Sequence, residues 1–521
     1  MKSFLNLVKV ILITVLSFVL GAQNGVAQVG NAQLTHSGLN AQVNANGNLF
    51  VTSKGAPSSW YQDSLKNFFA FSNLWMLGFD NGTARASLNI NPTKTEQWPG
   101  PIDTATGLGK DPLDWNKVWH VTRDQVTSHS EQYQKTGYKA PTDILTWPAS
   151  HAETNVPAVL APFVDWNGDA IYAPNDGDYP YFLGDEAVYF ICNDDGEHVV
   201  SGTDRMGVEI QGMLFTSNRK QLEGVIFGTY YLINRSSITY EPFFIAPFAD
   251  LTLGNASDNF VQTSVNKNMI FGYNADDVDE GEDGFNSKLP FAGLVLLNAE
   301  LYSTSSFVIN DPVRGLPASA AELNNVLEGK WKNGNQKFMN GNGTSGSKET
   351  KFMYPGNTDV KYPSAIWSEE SSGQVGGERN VLATSKIASF PSKSFLKFEF
   401  AYFTGLADEK NDVKIKVNQT VEEMLNFYST SVFVAPQIKE VNRIKLYPNP
   451  VLGSKSFTLE GEILRIDIQM SNGVYVSDFE VKKINRNIYG VTCSEPLASG
   501  IYYIYIHKPI GYEVLKLIVT K

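Results

Sequence analysis

The clearest hydrophobic pattern in this chain is a two-residue alternation with apolar side chains on both faces. Val225, Phe227, Thr229, Tyr231 and Ile233 fall on one side, and Ile226, Tyr230 and Leu232 on the other. That pattern predicts a strand lying inside a sandwich, covered above and below. Residues 211–254 read as several such strands, interrupted by the turn Asn234-Arg235-Ser236-Ser237. Helical spacing is scarce. Residues 124–135 predict a short helix, with Val126, His129 and Tyr133 on one stripe, and 320–330 predict another. The best is 412–428, where Val413, Val417, Val421, Met424, Leu425 and Tyr428 keep a helical period. Residues 333–347, rich in Gly and Asn, predict an exposed loop.

A boundary falls near 434–442. Beyond it, five short strands are predicted at 457–459, 463–470, 475–481, 501–507 and 514–519. Short strands at that density indicate a small sandwich. The predicted fold class is therefore mainly β. It comprises a large central β-sandwich-like region with a few short helices, and a small C-terminal Ig-like β-sandwich. The expected domains are a signal peptide at 1–27, a central extracellular region of one or two domains at 28–436, a linker at 437–442 and a C-terminal domain at 443–521.

Composition supports a β-rich chain. Of 521 residues, 12% are aromatic, and 43 Gly and 24 Pro supply turns. The net charge of −12 is unevenly spread: residues 140–204 contain no Lys or Arg and twelve acidic residues. A surface of that sign repels phosphate backbones, so nucleic acid is excluded as an expected partner. Concentrated carboxylates suit hard cations. The two cysteines, Cys192 and Cys493, cannot form a disulfide framework.

The start of the chain has the marks of an export signal. Lys2 and Lys9 precede an apolar run at 10–20, and small residues Gly25 and Ala27 stand before Gln28. The apolar run is too short for a comfortable membrane span.

The main candidate for chemistry is the segment 165–178. Asp165, Asn167 and Asp169 match positions 1, 3 and 5 of a calcium loop, and Asp176 falls at position 12. Alternating oxygen-bearing side chains let a tight loop converge on one cation. Asp178 and Asp185 are further candidate ligands. Ala170 replaces the usual Gly at position 6 and Asp176 is shorter than the usual Glu. A helix–loop–helix site is therefore not expected, and a calcium loop between strands is. The competing reading is a solvated turn in which Asp and Asn cap backbone groups. A second acidic run, 276–283, reads as a solvated loop with metal binding as the minority alternative.

No GxSxG, HExxH or P-loop pattern occurs. The histidines His36, His120, His129, His151 and His198 are expected to be packed or hydrogen-bonded. The chain is thus expected not to be an enzyme. The alternative is a secreted carbohydrate-active hydrolase, which needs only two placed carboxylates. Trp60, Trp75, Trp98, Trp115, Trp119, Trp147 and Trp166 would then offer a sugar-stacking platform.

The end of the chain resembles a known family. Tyr447-Pro448-Asn449-Pro450, the apolar Phe457 and Leu459, Ile466-Asp467-Ile468 before Asn472-Gly473, Leu497-Ala498-Ser499-Gly500-Ile501-Tyr502 and the closing strand to Lys521 occur in order. Together they resemble the type A sorting domain of the type IX secretion system of Bacteroidota. The prolines suit an edge strand, and Gly473 and Gly500 are expected at tight turns. The resemblance implies export through the inner membrane, recognition by an outer-membrane translocon and sortase, and a secreted or outer-surface location. Segments of the central region, such as Leu74-Trp75-Met76-Leu77-Gly78 and Gly177-Asp178-Tyr179-Pro180, resemble large secreted proteins that carry this domain. That family has no established activity. Possible ligands are extracellular glycans or surface proteins.

Overall fold

A computed structural model of the protein describes residues 29–35, 38–52, 55–61, 66–167, 169, 171–433, 444–452, 455–461, 463, 465–470, 475–485, 488–507 and 512–520. The proposed signal peptide and linker lie outside these residues, as do Ala170 and Gly473.

Two β-sheets face each other across the main core. The larger runs in the order Glu186–Asn193, Val208–Thr216, Val225–Asn234, Ser394–Ala407, Leu289–Leu296, Met269–Asn274 and Asn259–Ser264, antiparallel throughout. The smaller runs Ser303–Ser305, Arg379–Ile387, Phe243–Leu251, Phe69–Asp80 and Thr83–Ser87.

The predicted alternation is what builds the layers. Ile226, Tyr230 and Leu232 point into the core between the sheets, beside Phe398, Phe400 and Tyr402. Val225 and Phe227 point the other way, onto a second apolar layer. That layer is covered by the helix Lys410–Phe433, through Val413, Val417, Val421 and Met424, and by the segment around Trp119, Trp147 and Tyr172. The outer face of the smaller sheet is covered in turn by the helix Ala320–Leu327, through Leu323, Val326 and Leu327. Both sheets are therefore buried on two sides, so the alternating strands show no polar face.

The helix Arg123–Gln132 starts at Thr122, which shares a reciprocal capping box with Gln125. It ends earlier than expected, with Tyr133 as its C-cap. The segment 333–347 is mostly the exposed turn-rich loop expected, interrupted at 337–338. Lys337–Phe338 pairs with Glu349–Thr350, and Lys337 is fully buried, donating to Thr304 O and Ser305 Oγ. An intrinsically turn-rich stretch is held because its backbone finds a strand partner.

The C-terminal region is a small two-sheet sandwich. One sheet joins Lys445–Tyr447, Ser456–Glu460, Ile488–Cys493 and Phe479–Asn485. The other joins Val451–Leu452, Tyr512–Thr520, Gly500–His507, Arg465–Met470 and Tyr475–Val476. Phe457, Leu459, Ile466, Ile468, Val491, Ile504 and Leu517 fill the space between them. The strand Ile488–Cys493 was not foreseen, and the expected strand at 475–481 divides between the two sheets. Tyr475–Val476 also pairs with Ser394–Phe395, so the tail extends the larger central sheet.

The Tyr447–Pro450 segment is exposed. Asn449 ties it to the last strand, donating to Lys516 O at 2.6 Å and accepting from Ile518 N at 2.9 Å. Gly500 corrects an expectation. It opens a strand, its φ lies outside the left-handed region, and an added Cβ would meet only Ala498 O at 4.0 Å. No tight turn requires glycine there.

Candidate metal centre

The acidic loop 165–178 is a hairpin loop. Its ends are clamped by the antiparallel pairs Phe163↔Pro180 and Val164↔Tyr179. Asp165 follows one clamp strand and Asp178 precedes the other, so closing the hairpin brings these two aspartates together. Gly177 completes the approach. Its φ is +106°, and a Cβ would stand 2.9 Å from both the Trp166 and Tyr133 rings. The loop thus rests on the end of the helix Arg123–Gln132, and only glycine fits at that contact.

Asp178 is fully buried and organises the loop. Its two oxygens accept from Trp166 N at 2.7 Å and Ala173 N at 2.8 Å. Burial pushes its carboxyl up to about 6, helped by Asp165 and Asp169 and opposed by those two N–H groups. Asp165 and Asp169 bring their carboxylates close to it, with ligand oxygens of all three within 4.8 Å of one another. Two oxygens on opposite sides of a calcium ion at about 2.4 Å would be separated by roughly that distance. Three converging carboxylates suit a hard cation, with water completing its shell.

Of the other acidic candidates, neither Asp176 nor Asp185 joins the cluster. Asn167 is exposed; its Oδ1 accepts from Asp169 N and its amide donates to Asp169 Oδ2. Asp176 is exposed, at the end of the single turn Pro174–Asp176, and lies outside the cluster. Asp185 also lies outside it, accepting instead from Ser217 Oγ at 3.0 Å and Asn218 N at 2.7 Å. Loop spacing counted Asp176 as a ligand, and Asp185 was a further candidate beyond the loop. Asp176 is exposed at the end of the turn 174–176, and Asp185 caps the Ser217–Asn218 connection.

Sequence reasoning gave little weight to the second acidic loop. Asp279 is fully buried there and accepts from Asn255 N at 2.9 Å and Phe285 N at 2.5 Å. Asp258, Asp276 and Glu280 form a second group with ligand oxygens within 4.8 Å. The pairing of Asn259–Ser264 with Met269–Asn274 produces this meeting. Ala275 N extends the ladder to Asp258 O at 2.8 Å and places Asp276 beside Asp258.

Among the described side chains the tryptophans do not gather into a stacking platform; the Trp60 side chain lies outside them. Trp75, Trp115, Trp119 and Trp147 are core residues, Trp98 is half-buried, and Trp166 is 54% exposed beside the first acidic loop. The described histidines are packed or bonded. His120 meets Glu186 at 2.8 Å and His151 meets Pro157 O at 2.7 Å. His198 sits between the Ala86 and Asp194 carbonyls, and His129 meets the Tyr138 hydroxyl at 3.2 Å. Cys192 and Cys493 are buried free thiols. Among the described residues, no helix is long and apolar enough to cross a membrane.

No protein-family model matches the chain, and no curated protein does. Among solved structures it is similar to one named as a polysaccharide lyase, with a TM-score of 0.19 and 9% identity. The match covers 64% of this chain and 35% of that one. A likeness at that score carries no inference about activity.

Proposed function

We propose that this protein is exported and acts outside the cell as a non-catalytic binding or adhesive protein, its central sandwich stiffened by calcium. The observation that carries the calcium reading is the convergence of Asp165, Asp169 and Asp178 at the mouth of a clamped hairpin. The buried Asp178 is costly as an anion, and a divalent cation offsets that cost. The twelve acidic residues of the surrounding segment would draw cations toward it. Export rests on the resemblance of residues 443–521 to a type IX sorting domain. The exposed Tyr447–Pro450 segment pinned to the final strand supports a surface that a translocon reads. Glycans or surface proteins are the proposed ligands of the central region.

Two experiments test this. Calcium titration of the full chain should raise its melting temperature, with affinity on the order of 10⁻⁴–10⁻³ M as for extracellular modules. No change at several millimolar would remove the calcium reading. Deleting residues 443–521 should trap the protein inside the envelope; normal appearance in the medium or on the surface would remove the export reading.

A further inference from the structure

A cavity of about 280 Å³ lies beside the strand Asn259–Ser264, walled by Val261 and Met353 and by the rings of Trp331 and Tyr354. That is close to the lower end of ligand pockets, which run roughly 300–1,000 Å³, and far beyond the space one water needs. Tyr354 is placed there against its backbone preference. Its φ is +45°, in the left-handed region that a bulky side chain rarely adopts. Its carbonyl accepts from Thr263 N at 3.2 Å, and its ring packs on Trp367 with centroids 4.5 Å apart. The charged part of the wall is already paired. Glu369 is buried and accepts from Arg379 Nη2 at 2.8 Å, from Arg379 Nε at 3.1 Å and from Val261 N.

The groups left over around this cavity are mostly donors. Tyr354 and Ser306 line it and are only 4% and 6% exposed, yet neither hydroxyl has a hydrogen-bond partner among the described residues. Burial, then the Glu369 charge, push the Tyr354 hydroxyl above its usual range, against Arg379 and Arg314. All three of those charges line the same space, so the hydroxyl faces the charged wall. Arg314 commits Nε and Nη2 to Asp311, at 3.1 and 2.9 Å, and its Nη1 bonds to no described residue. Glu369 has both oxygens occupied. The open amide acceptor is Gln374 Oε1, whose Nε2 donates to Ser372 O at 3.2 Å. A wall with more open donors than acceptors suits a ligand that brings oxygens and negative charge. Its aromatic and aliphatic part suits the C–H face of a ring.

We propose that this cavity binds a carboxylate-bearing sugar ring, a uronic acid residue of a glycan. Arg314 and the Tyr354 hydroxyl hold its carboxylate, Ser306 bonds a ring hydroxyl, and Trp331 with Met353 meets its apolar face. The proposal deepens, and rests on, the reading of the central region as a glycan binder. Space for about one ring means that a chain end or side branch enters, not a length of polymer backbone.

Calorimetric titration of the full chain with methyl glucuronide and methyl galacturonide, against methyl glucoside and methyl galactoside, tests the proposal. Chelator is present throughout, so that calcium cannot bridge sugar carboxylates to the acidic loops. The acidic sugars should bind about ten-fold tighter than their neutral counterparts. Tyr354→Phe keeps the ring and should weaken the acidic sugars several-fold. Arg314→Gln should weaken them about ten-fold, and both variants should melt near the wild type. Equal affinity for acidic and neutral sugars would overturn the proposal. So would acetate binding as tightly as the uronides, which would mark a plain carboxylate site. If the uronides bind and neither variant weakens them, they bind elsewhere, and the glycan reading stands without this cavity. If a mixed glycan panel shows binding of neutral glycans but not of uronides, this proposal alone falls; if no glycan binds, both fall.

Discussion

In the 165–178 loop one aspartate does two jobs, and in the second loop those jobs fall to different residues. Asp178 gathers two backbone N–H groups and is itself a member of the carboxylate cluster. In the second loop Asp279 gathers the N–H groups, while Asp258, Asp276 and Glu280 make the cluster. The first arrangement ties the shape of the loop to the charge proposed to hold an ion. The second separates them, so the cluster can be altered without removing the residue that shapes the loop. What the two share is a buried carboxylate held by backbone donors, which fixes a turn-rich segment that has no regular ladder of its own.

The largest expected effects come from removing the two organising aspartates. Asp178→Ala and Asp279→Ala each leave two backbone N–H groups unpaired. At about 1–3 kcal/mol for each buried orphan, both should lose roughly 3 kcal/mol in denaturant unfolding with chelator present. A near-zero loss in either variant would break the parallel. Next is Gly177→Ala, which forces a side chain into the Trp166 and Tyr133 rings at a left-handed φ. It should cost about 2 kcal/mol and weaken calcium binding at the first loop only; unchanged unfolding would mean that the loop does not rest on the helix end.

Asp258→Asn sharpens the contrast in the other direction. Removing one of several like charges should raise chelator-state stability by about 1 kcal/mol. A loss of stability in chelator would show that Asp258 is structural. The smallest effect is expected at Asp176→Asn. This residue is exposed and outside the cluster, so stability should change by less than about 0.5 kcal/mol and the calcium response should persist. A lost response would restore the twelve-position loop that spacing alone suggested.

Much of the scaffold was legible because burial on two faces leaves a plain mark in sequence. The alternation at 225–233 and the helical stripe from Val413 to Met424 both sit where that mark places them. The strand Ile488–Cys493 was missed because its buried residues, Tyr489, Val491 and Cys493, lie among turn-forming neighbours. The first carboxylate cluster was half legible. Spacing picked out Asp165 and Asp169 and left Asp178 as a further candidate, but it also counted Asp176, which stays outside the cluster at the end of the short turn 174–176. The second cluster was nearly invisible. Its members stand on either side of a strand pair, and only the register Asn259↔Asn274 brings Asp258 to Asp276. Charge runs are visible in sequence; unpaired buried oxygens are not.

The most direct test of calcium as a structural part of the central region is the melting temperature of the full chain, in chelator and then in excess calcium. With ten times the dissociation constant at the 165–178 loop, the expected gain is about 1.4 kcal/mol, read as a rise of about 1–2 °C that magnesium does not reproduce. Equal melting temperatures in chelator and calcium would contradict it.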